Sequence, residues 1–566
     1  AAVALGALLV LRPAGANGRA EAAAAPDRPP DIVLIVTDDQ RFDSLWAMPV
    51  LSERLEARGV TFPDAFVVNP LCCPSRASIL TGNYSHTTLV YRQVPPFGRF
   101  EWFDDGSTLA TWLHDAGYRT GLFGKYLDGY QHSAVTGYVP PGWDRWVAFV
   151  RSAQVDYTLT IDGALREFGH GPDDHASEVL ADEAVAFVQD TTGPLFLELA
   201  TSAPHAPAIP SPGDESSFAS LSPARPPSFD EAEVSDKPAW VRDLPPLTPS
   251  QEAAIDAFRA DQYRSLLGVD RALGRILDAL ERAGRLENTL IVFTSDNGIL
   301  HGEHRWTKKE APYEEAIRVP LVMRWDAAEW TPGTELPGVL ALNIDLAPTI
   351  ADAAGVAHPP TDGRSLLPIL AGDRSSTRSD FLIEHMEGEN PVPTFCAVRS
   401  ERWTYVRYST GEEELYDLAA DPFELENAAG APSMRPVLER GCGRCAHRCR
   451  PATRIAPERA SRSPSACSWH WCCSRHSHRV ARAARRNGPG RLAGHEHTLR
   501  TRVEGSDPEE AVAALPPAGR AASRVRGVPR RGGGRHRSSR LGGDAGRERA
   551  RRDRAFRGDL AGAGRE

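Results

Sequence analysis

Near the start of the chain, residues 32–36 read Ile-Val-Leu-Ile-Val and run directly, through Thr37, into Asp38-Asp39. A short unbroken apolar run bounded by charge reads as a strand buried on both faces, as in the middle of a parallel sheet. Three more runs have this form: residues 120–123 (TGLF), 195–199 (LFLEL) and 290–293 (LIVF). Helical patterns lie between them. Ser107 is placed to cap a helix carrying Leu109, Trp112 and Leu113, and Val179, Leu180, Ala184, Phe187 and Val188 recur at helical spacing. The longest helix is expected over residues 251–283, with Leu266, Val269, Leu273, Ile276 and Leu280 on one stripe. Strands alternating with helices predict an α/β fold: a large, mixed, mostly parallel sheet flanked by helices on both faces.

Each of the four strands ends in chemistry. Asp38 and Asp39 follow the first, Lys125 the second, His205 the third, and Asp296 and Asn297 the fourth. Open α/β sheets bind ligands beyond the carboxyl ends of their strands, so these side chains are expected to converge. One aspartate after one strand would be an ordinary turn or cap residue. Four strand ends of this kind are much harder to assign to turns.

The chain has 566 residues and a net charge of −10, which hides a split. Residues 441–566 hold 29 Arg, no Lys and 11 acidic residues, a charge of +18; residues 1–440 carry −28. The acidic part excludes nucleic acid as a natural partner, since that needs clustered positive charge. Four regions follow: residues 1–29, signal-peptide-like and linker; 30–377, a catalytic domain; 378–440, a smaller C-terminal α+β subdomain; and 441–566, an Arg-rich tail. Residues 1–11 (AAVALGALLVL) followed by small residues suggest export, and the run is too short to span a bilayer. A secreted or extracytoplasmic location without integral membrane contact is therefore expected. Residues 206–250, rich in Pro, Ser and Asp and including Trp240, read as a long irregular insertion of the binding-loop or lid type. Short strands are expected at 381–383, 394–398, 404–408 and 414–418. The tail has two readings: a coding sequence out of frame from about Glu439, or a disordered basic arm able to bind polyanions. Its Cys442, Cys445, His447 and Cys449 lack the second ligand pair of a zinc site. The first 440 residues contain only Cys72, Cys73 and Cys396, which make no disulfide framework.

Residues 72–82 read Cys-Cys-Pro-Ser-Arg-Ala-Ser-Ile-Leu-Thr-Gly. Pro74 suits a helix first turn, which places Cys72 at the helix N-terminus, where exposed N–H groups favour negative charge. Arg76 lies one turn along and can fork onto an oxyanion. A nucleophile beside an anion-binding helix end suits attack on a sulfate or phosphate ester. The plain alternative is a buried thiol next to a structural arginine.

This segment resembles the signature of the sulfatase family, C-x-P-S-R-x-S-x-L-T-G, and carries it in full. The resemblance spans roughly residues 30–440. It implies that a formylglycine-generating enzyme oxidises Cys72 to formylglycine. It assigns Asp38, Asp39, Asp296 and Asn297, with position 72, to one divalent cation: calcium, or magnesium, the other hard ion an oxygen cage suits. Lys125 matches an active-site lysine, His205 in Pro204-His205-Ala206-Pro207 an active-site histidine, and Lys309, registered on Tyr313-Glu314, a further substrate-binding lysine. Arg76, Lys125, His205 and Lys309 are the implied substrate-binding residues. One departure stands out: many sulfatases have a histidine where this chain has Leu127. That leaves two alternatives: His205 carries more of the acid/base work, or another histidine, such as His301 or His304, helps.

The implied reaction is sulfuric ester hydrolysis on sulfated sugars or aryl sulfates. A hydrated formylglycine would attack sulfur in line, with His205 or Lys309 protonating the leaving oxygen. Its second hydroxyl would then let sulfate go, which a plain Ser or Cys lacks. The Cys72-Cys73 doublet and Gly124-Lys125-Tyr126-Leu127 look most like N-acetylglucosamine-6-sulfatases acting on glycosaminoglycan-type sugars. Two other readings compete: a phosphomonoesterase or phosphodiesterase on the same alkaline phosphatase superfamily scaffold, which would usually use Ser or Thr and paired zinc, and a catalytically silent polyanion-binding protein.

Overall fold

The computed structural model describes residues 28–437 and Glu439. The export-type stretch up to residue 27, the tail from 441 onward and the Cys442, Cys445, His447 and Cys449 group lie outside the described residues.

Among the described residues there are sixteen strands, in chain order: β1 Asp31–Thr37, β2 Val60–Thr61, β3 Ala65–Phe66, β4 Arg119–Gly124, β5 Arg145–Phe149, β6 Tyr157–Ile161, β7 Ala164–Phe168, β8 Leu195–Ala200, β9 Thr289–Ser295, β10 Leu321–Arg324, β11 Thr334–Glu335, β12 Ala341–Leu342, β13 Asp380–His385, β14 Phe395–Ser400, β15 Trp403–Tyr408 and β16 Glu413–Asp417. Ten form one sheet in the order β11-β2-β10-β9-β1-β8-β4-β5-β6-β7. Its centre, β9-β1-β8-β4-β5, is parallel throughout. Strands β10, β6 and β7 join it antiparallel. The four strands expected from apolar runs are β1, β4, β8 and β9, all central. Strands β2, β7 and β11 leave no continuous apolar run in the sequence, because β2 and β11 are two residues long and β7 is exposed along most of its length.

Alternation along β1 feeds two cores. Ile32, Leu34 and Val36 join one cluster, with Ala77, Leu80, Leu113 and Ile350 from helices Cys72–Thr81, Leu109–Asp115 and Leu346–Ala354. Val33 and Ile35 join the other, with Leu180, Phe187, Leu266, Leu273 and Leu280 from helices Ala176–Asp190 and Pro249–Arg282. Successive strand side chains point to opposite faces, so a strand covered on both sides must be apolar at every position. Each fully buried aliphatic chain here contributes about 1.5–3 kcal/mol of transfer free energy.

Helix Leu109–Asp115 is capped by Thr108 and not by Ser107. The Thr108 hydroxyl accepts from the Thr111 N–H while the Thr111 hydroxyl accepts from the Thr108 N–H, a reciprocal box that Ser107 is one residue too early to make. Ser107 Oγ instead accepts from the Trp112 indole N–H.

Strands β13 to β16 form a separate antiparallel meander. They share a third core with Trp240, Trp306 and Tyr313. The irregular 206–250 stretch contains one short helix, Ala239–Arg242, and is tied down by Lys237. The buried Lys237 ammonium donates to the backbone carbonyls of Glu424 and Leu425 and to Tyr416 Oη, and lies 3.5 Å from Glu231. A fully buried ammonium is tolerated only when paired and hydrogen-bonded in this way.

Candidate active site

Because β1, β4, β8 and β9 are parallel and in register, Val36 beside Ala200, Thr37 beside Ser295 and Gly124 beside Ala200, their carboxyl ends share one sheet edge. Backbone hydrogen bonds continue the pairing past the strands: Asp296 N–H to Thr37 O, Lys125 N–H to Ala200 O and Asp38 N–H to Ala203 O. Gly124 makes the second possible. Its φ is +124°, and a Cβ there would stand 1.8 Å from the Ala200 carbonyl oxygen. Asp39 is also left-handed, at φ +64°, with its N–H held by Asp296 Oδ1 at 3.2 Å. Strain of this kind is concentrated at functional sites.

Cys72 is the first residue of helix Cys72–Thr81, which is buried along its whole length. Its sulfur lies 3.3 Å from Asp38 Oδ1, 3.9 Å from Asp39 Oδ1 and 2.6 Å from Lys309 Nζ. Lys309 Nζ also lies 2.6 Å from Asp39 Oδ1, and Lys125 Nζ 2.6 Å from Asp38 Oδ2. Arg76 donates through Nε to Asp296 Oδ2 at 2.8 Å and through Nη1 to the Lys125 carbonyl. Asn297 donates through Nδ2 to Asp39 Oδ1 and to the Gly298 carbonyl. His205 stands at the open side, 40% exposed, with Nε2 3.6 Å from Asp39 Oδ2 and Nδ1 against the Ala206 carbonyl. Asp38, Asp39, Cys72, Arg76, Lys125, His205, Asp296, Asn297 and Lys309 are thus in one cluster.

Two buried polar atoms in this cluster have no partner: Asn297 Oδ1 and Arg76 Nη2. An unsatisfied buried group costs about 1–3 kcal/mol, so each calls for a ligand. Asp38, Asp39, Cys72 and Asp296 offer ligand atoms within 4.8 Å of one another, and with Asn297 Oδ1 the set is oxygen-rich. It fits a hard divalent cation. The free Arg76 N–H fits an anion's oxygen.

The charges are strongly coupled. Burial works against ionisation of Asp38, but Lys125, His205, Arg76 and Lys309 outweigh it and hold its carboxyl well below the usual carboxylate range. Burial, with Asp38 next in weight, pushes the Asp296 carboxyl up to about 6. Burial pushes the Cys72 thiol well above its ordinary value, and Asp296 and Asp38 add to the effect.

Leu127 is buried in the core cluster that also holds Cys73 and Leu80. His304 does not help the site: its Nδ1 faces Glu231 Oε2 at 2.7 Å. His301 is bound to Gln262 Oε1 at 2.7 Å. Glu198 was not foreseen. It interrupts the otherwise apolar β8, is buried, and is pushed up to about 7 by burial, with Arg76 opposing. A carboxylate inside an apolar strand was the available signal.

A family model described as Sulfatase matches residues 30–356. The chain belongs to the sulfatase family. As a sulfatase it is a sulfuric ester hydrolase. A second model, described as N-sulphoglucosamine sulphohydrolase, C-terminal, matches residues 302–442. The N-acetylglucosamine-6-sulfatase of Homo sapiens is 33% identical over 457 residues, which cover 72% of this chain and 82% of that one. The extracellular sulfatase SULF-1 homolog of Drosophila melanogaster is 34% identical over 379 residues, 64% of this chain, but the match spans only 33% of that relative's length. Among solved structures, one in complex with its substrate D-glucosamine-2-N,6-O-disulfate aligns with a TM-score of 0.64 at 24% identity, covering 74% of this chain and 97% of that one. The phosphonate monoester hydrolase of Agrobacterium radiobacter aligns at 0.58 and 22% identity, covering 73% and 94%, so the fold also serves phosphorus esters. Among the described residues of this sulfatase, no helix is long and apolar enough to cross a membrane.

Proposed function

We propose that this sulfatase removes 6-O-sulfate from N-acetylglucosamine-type sugars, using formylglycine at position 72 and one calcium ion. The observation that carries the reading is the cluster itself: Cys72 Sγ between Asp38 and Lys309, with Arg76 Nη2 and Asn297 Oδ1 unpartnered beside it. Asp38, Asp39, Asp296 and Asn297 would hold the cation with position 72. When bound, the cation supplies screening between two anions and lowers the pKa of a coordinated hydroxyl. The formylglycine hydrate supplies one hydroxyl to attack sulfur and a second whose deprotonation releases sulfate.

The chain's own groups do the rest. Arg76 uses its free N–H to fix one sulfate oxygen, and Lys125 and Lys309 offset the charge that develops as the S–O bond breaks. His205 Nε2, at the open side, passes a proton to the departing sugar oxygen. Its Nδ1, held by the Ala206 carbonyl, sets the ring so that Nε2 faces the site. The sugar class is supported by the relatives named N-acetylglucosamine-6-sulfatase and by the Cys72-Cys73 doublet with Gly124-Lys125-Tyr126-Leu127. An extracytoplasmic location is supported by the relative named as an extracellular sulfatase. The required partner is a formylglycine-generating enzyme.

The test is mass spectrometry of the peptide spanning Cys72 from chain made with and without that enzyme, paired with sulfate release from N-acetylglucosamine-6-sulfate. Aldehyde or hydrate at 72, tracking activity, is expected, and Cys72→Ser should be inactive. Full activity in Cys72→Ser would refute the mechanism. Faster turnover of the matching phosphate ester would refute the substrate class.

A further inference from the structure

Away from the catalytic cluster, His304, Glu315 and Glu424 offer a second set of ligand atoms within 4.8 Å of one another. They come from three segments: the loop after β9, helix Glu314–Ile317 and the stretch after β16. His304 is fully buried, and its ring stacks on Tyr313 with centroids 4.0 Å apart. Its Nδ1 lies 2.7 Å from Glu231 Oε2, so Nδ1 carries the proton and Nε2 the lone pair.

That Nε2 has no hydrogen-bond partner, and neither do Glu315 Oε2 and Glu424 Oε1; all three atoms are buried. Three buried polar atoms brought together without a hydrogen-bond partner make a costly arrangement that a bound cation would relieve. The surrounding cations are engaged with other carboxylates: Arg41 with Glu303, Arg399 with Glu314 and Lys237 with Glu231. The ligand side chains are held in place independently. Glu424 accepts the Glu314 N–H through Oε2, and its carbonyl is held by Lys237.

We propose that His304, Glu315 and Glu424 form a second, structural site for a divalent cation, zinc by its donor set. One imidazole nitrogen with two carboxylate oxygens suits a borderline ion, whereas the oxygen-rich catalytic set suits a hard one. A carboxylate on the far nitrogen, here Glu231, is the usual support of a metal-binding histidine. The ion would pin the loop that carries Lys309 to the segment that closes the small sheet.

The experiment uses the full chain in excess calcium, to hold the catalytic set, with zinc added and unbound metal then removed. Elemental analysis should find about one zinc per chain, and zinc-edge X-ray absorption should show an imidazole and oxygens at about 2.0–2.2 Å. Zinc affinity should fall about tenfold or more in His304→Gln and in Glu424→Gln. Zinc should raise the unfolding midpoint of the parent chain and leave that of His304→Gln unmoved. No retained zinc in the parent, or equal zinc in parent and variants, would overturn the proposal. Should His304→Gln not fold, Glu424→Gln and the absorption spectrum of the parent still decide.

Discussion

Lys309 holds its ammonium nitrogen 2.6 Å from the Cys72 sulfur. The same nitrogen lies on Asp39 Oδ1, so one cation joins the proposed nucleophile position to a proposed metal ligand. Replacing it by Ala is expected to lower kcat by about 10²–10³-fold, the scale seen when one transition-state donor is lost. Formylglycine content, read by mass spectrometry, should not change, because Lys309 lies outside the Cys72 signature. Unchanged kcat in Lys309→Ala would remove it from the mechanism.

Chelation should silence the enzyme without unfolding it. Activity after EGTA treatment is expected to fall to background and to return with calcium. In Asn297→Ala the chelator concentration that halves activity should drop about tenfold or more, because the unpartnered Oδ1 is lost as a ligand. An unshifted chelator midpoint would contradict the role given to that oxygen.

Gly124→Ala is expected to destabilise the chain by about 1–3 kcal/mol, since φ +124° is left to glycine and the added carbon meets the Ala200 carbonyl. Denaturant midpoints measure this directly. The displaced Lys125 should also lower sulfate release in whatever fraction stays folded.

Acid should weaken the fold through buried histidine. Burial lowers His385 to about 4, with its Nε2 against the Val392 carbonyl. An unfolded histidine takes its proton near pH 6.5. Between those values the unfolded chain binds more protons, so stability rises with pH and is lost as pH falls from about 6.5 toward 4. Unfolding midpoints of His385→Gln should fall less steeply over that interval than those of the parent chain. Parallel profiles would show that His385 is not a source of the acid sensitivity.

The site was legible in the sequence to an unusual degree because its parts sit at the ends of strands that are apolar at every position. Residues 32–36 and 290–293 announced β1 and β9, and the charges after them announced the cluster. Strand β7 left no such trace, being exposed on both faces for most of its length. The fate of His304 was equally hidden, since its place depends on Glu231 and Glu424, 73 residues before it and 120 after it. Local pattern reports burial and chain direction; it does not report which distant carboxylate a loop histidine will meet. The anchoring of the 206–250 stretch by Lys237 was hidden for the same reason: a lysine amid Pro, Ser and Asp reads as solvated until Tyr416 and the carbonyls after it are in place.

The Cys72 side chain has no exposed surface at all. On the proposed mechanism, an enzyme that oxidises position 72 has to reach the sulfur before it is enclosed in this way, while the polypeptide is still unfolded. Yield of competent enzyme then becomes a race between two clocks, conversion and folding. A host that folds the chain faster than it converts it would deliver soluble protein of correct shape that never turns over.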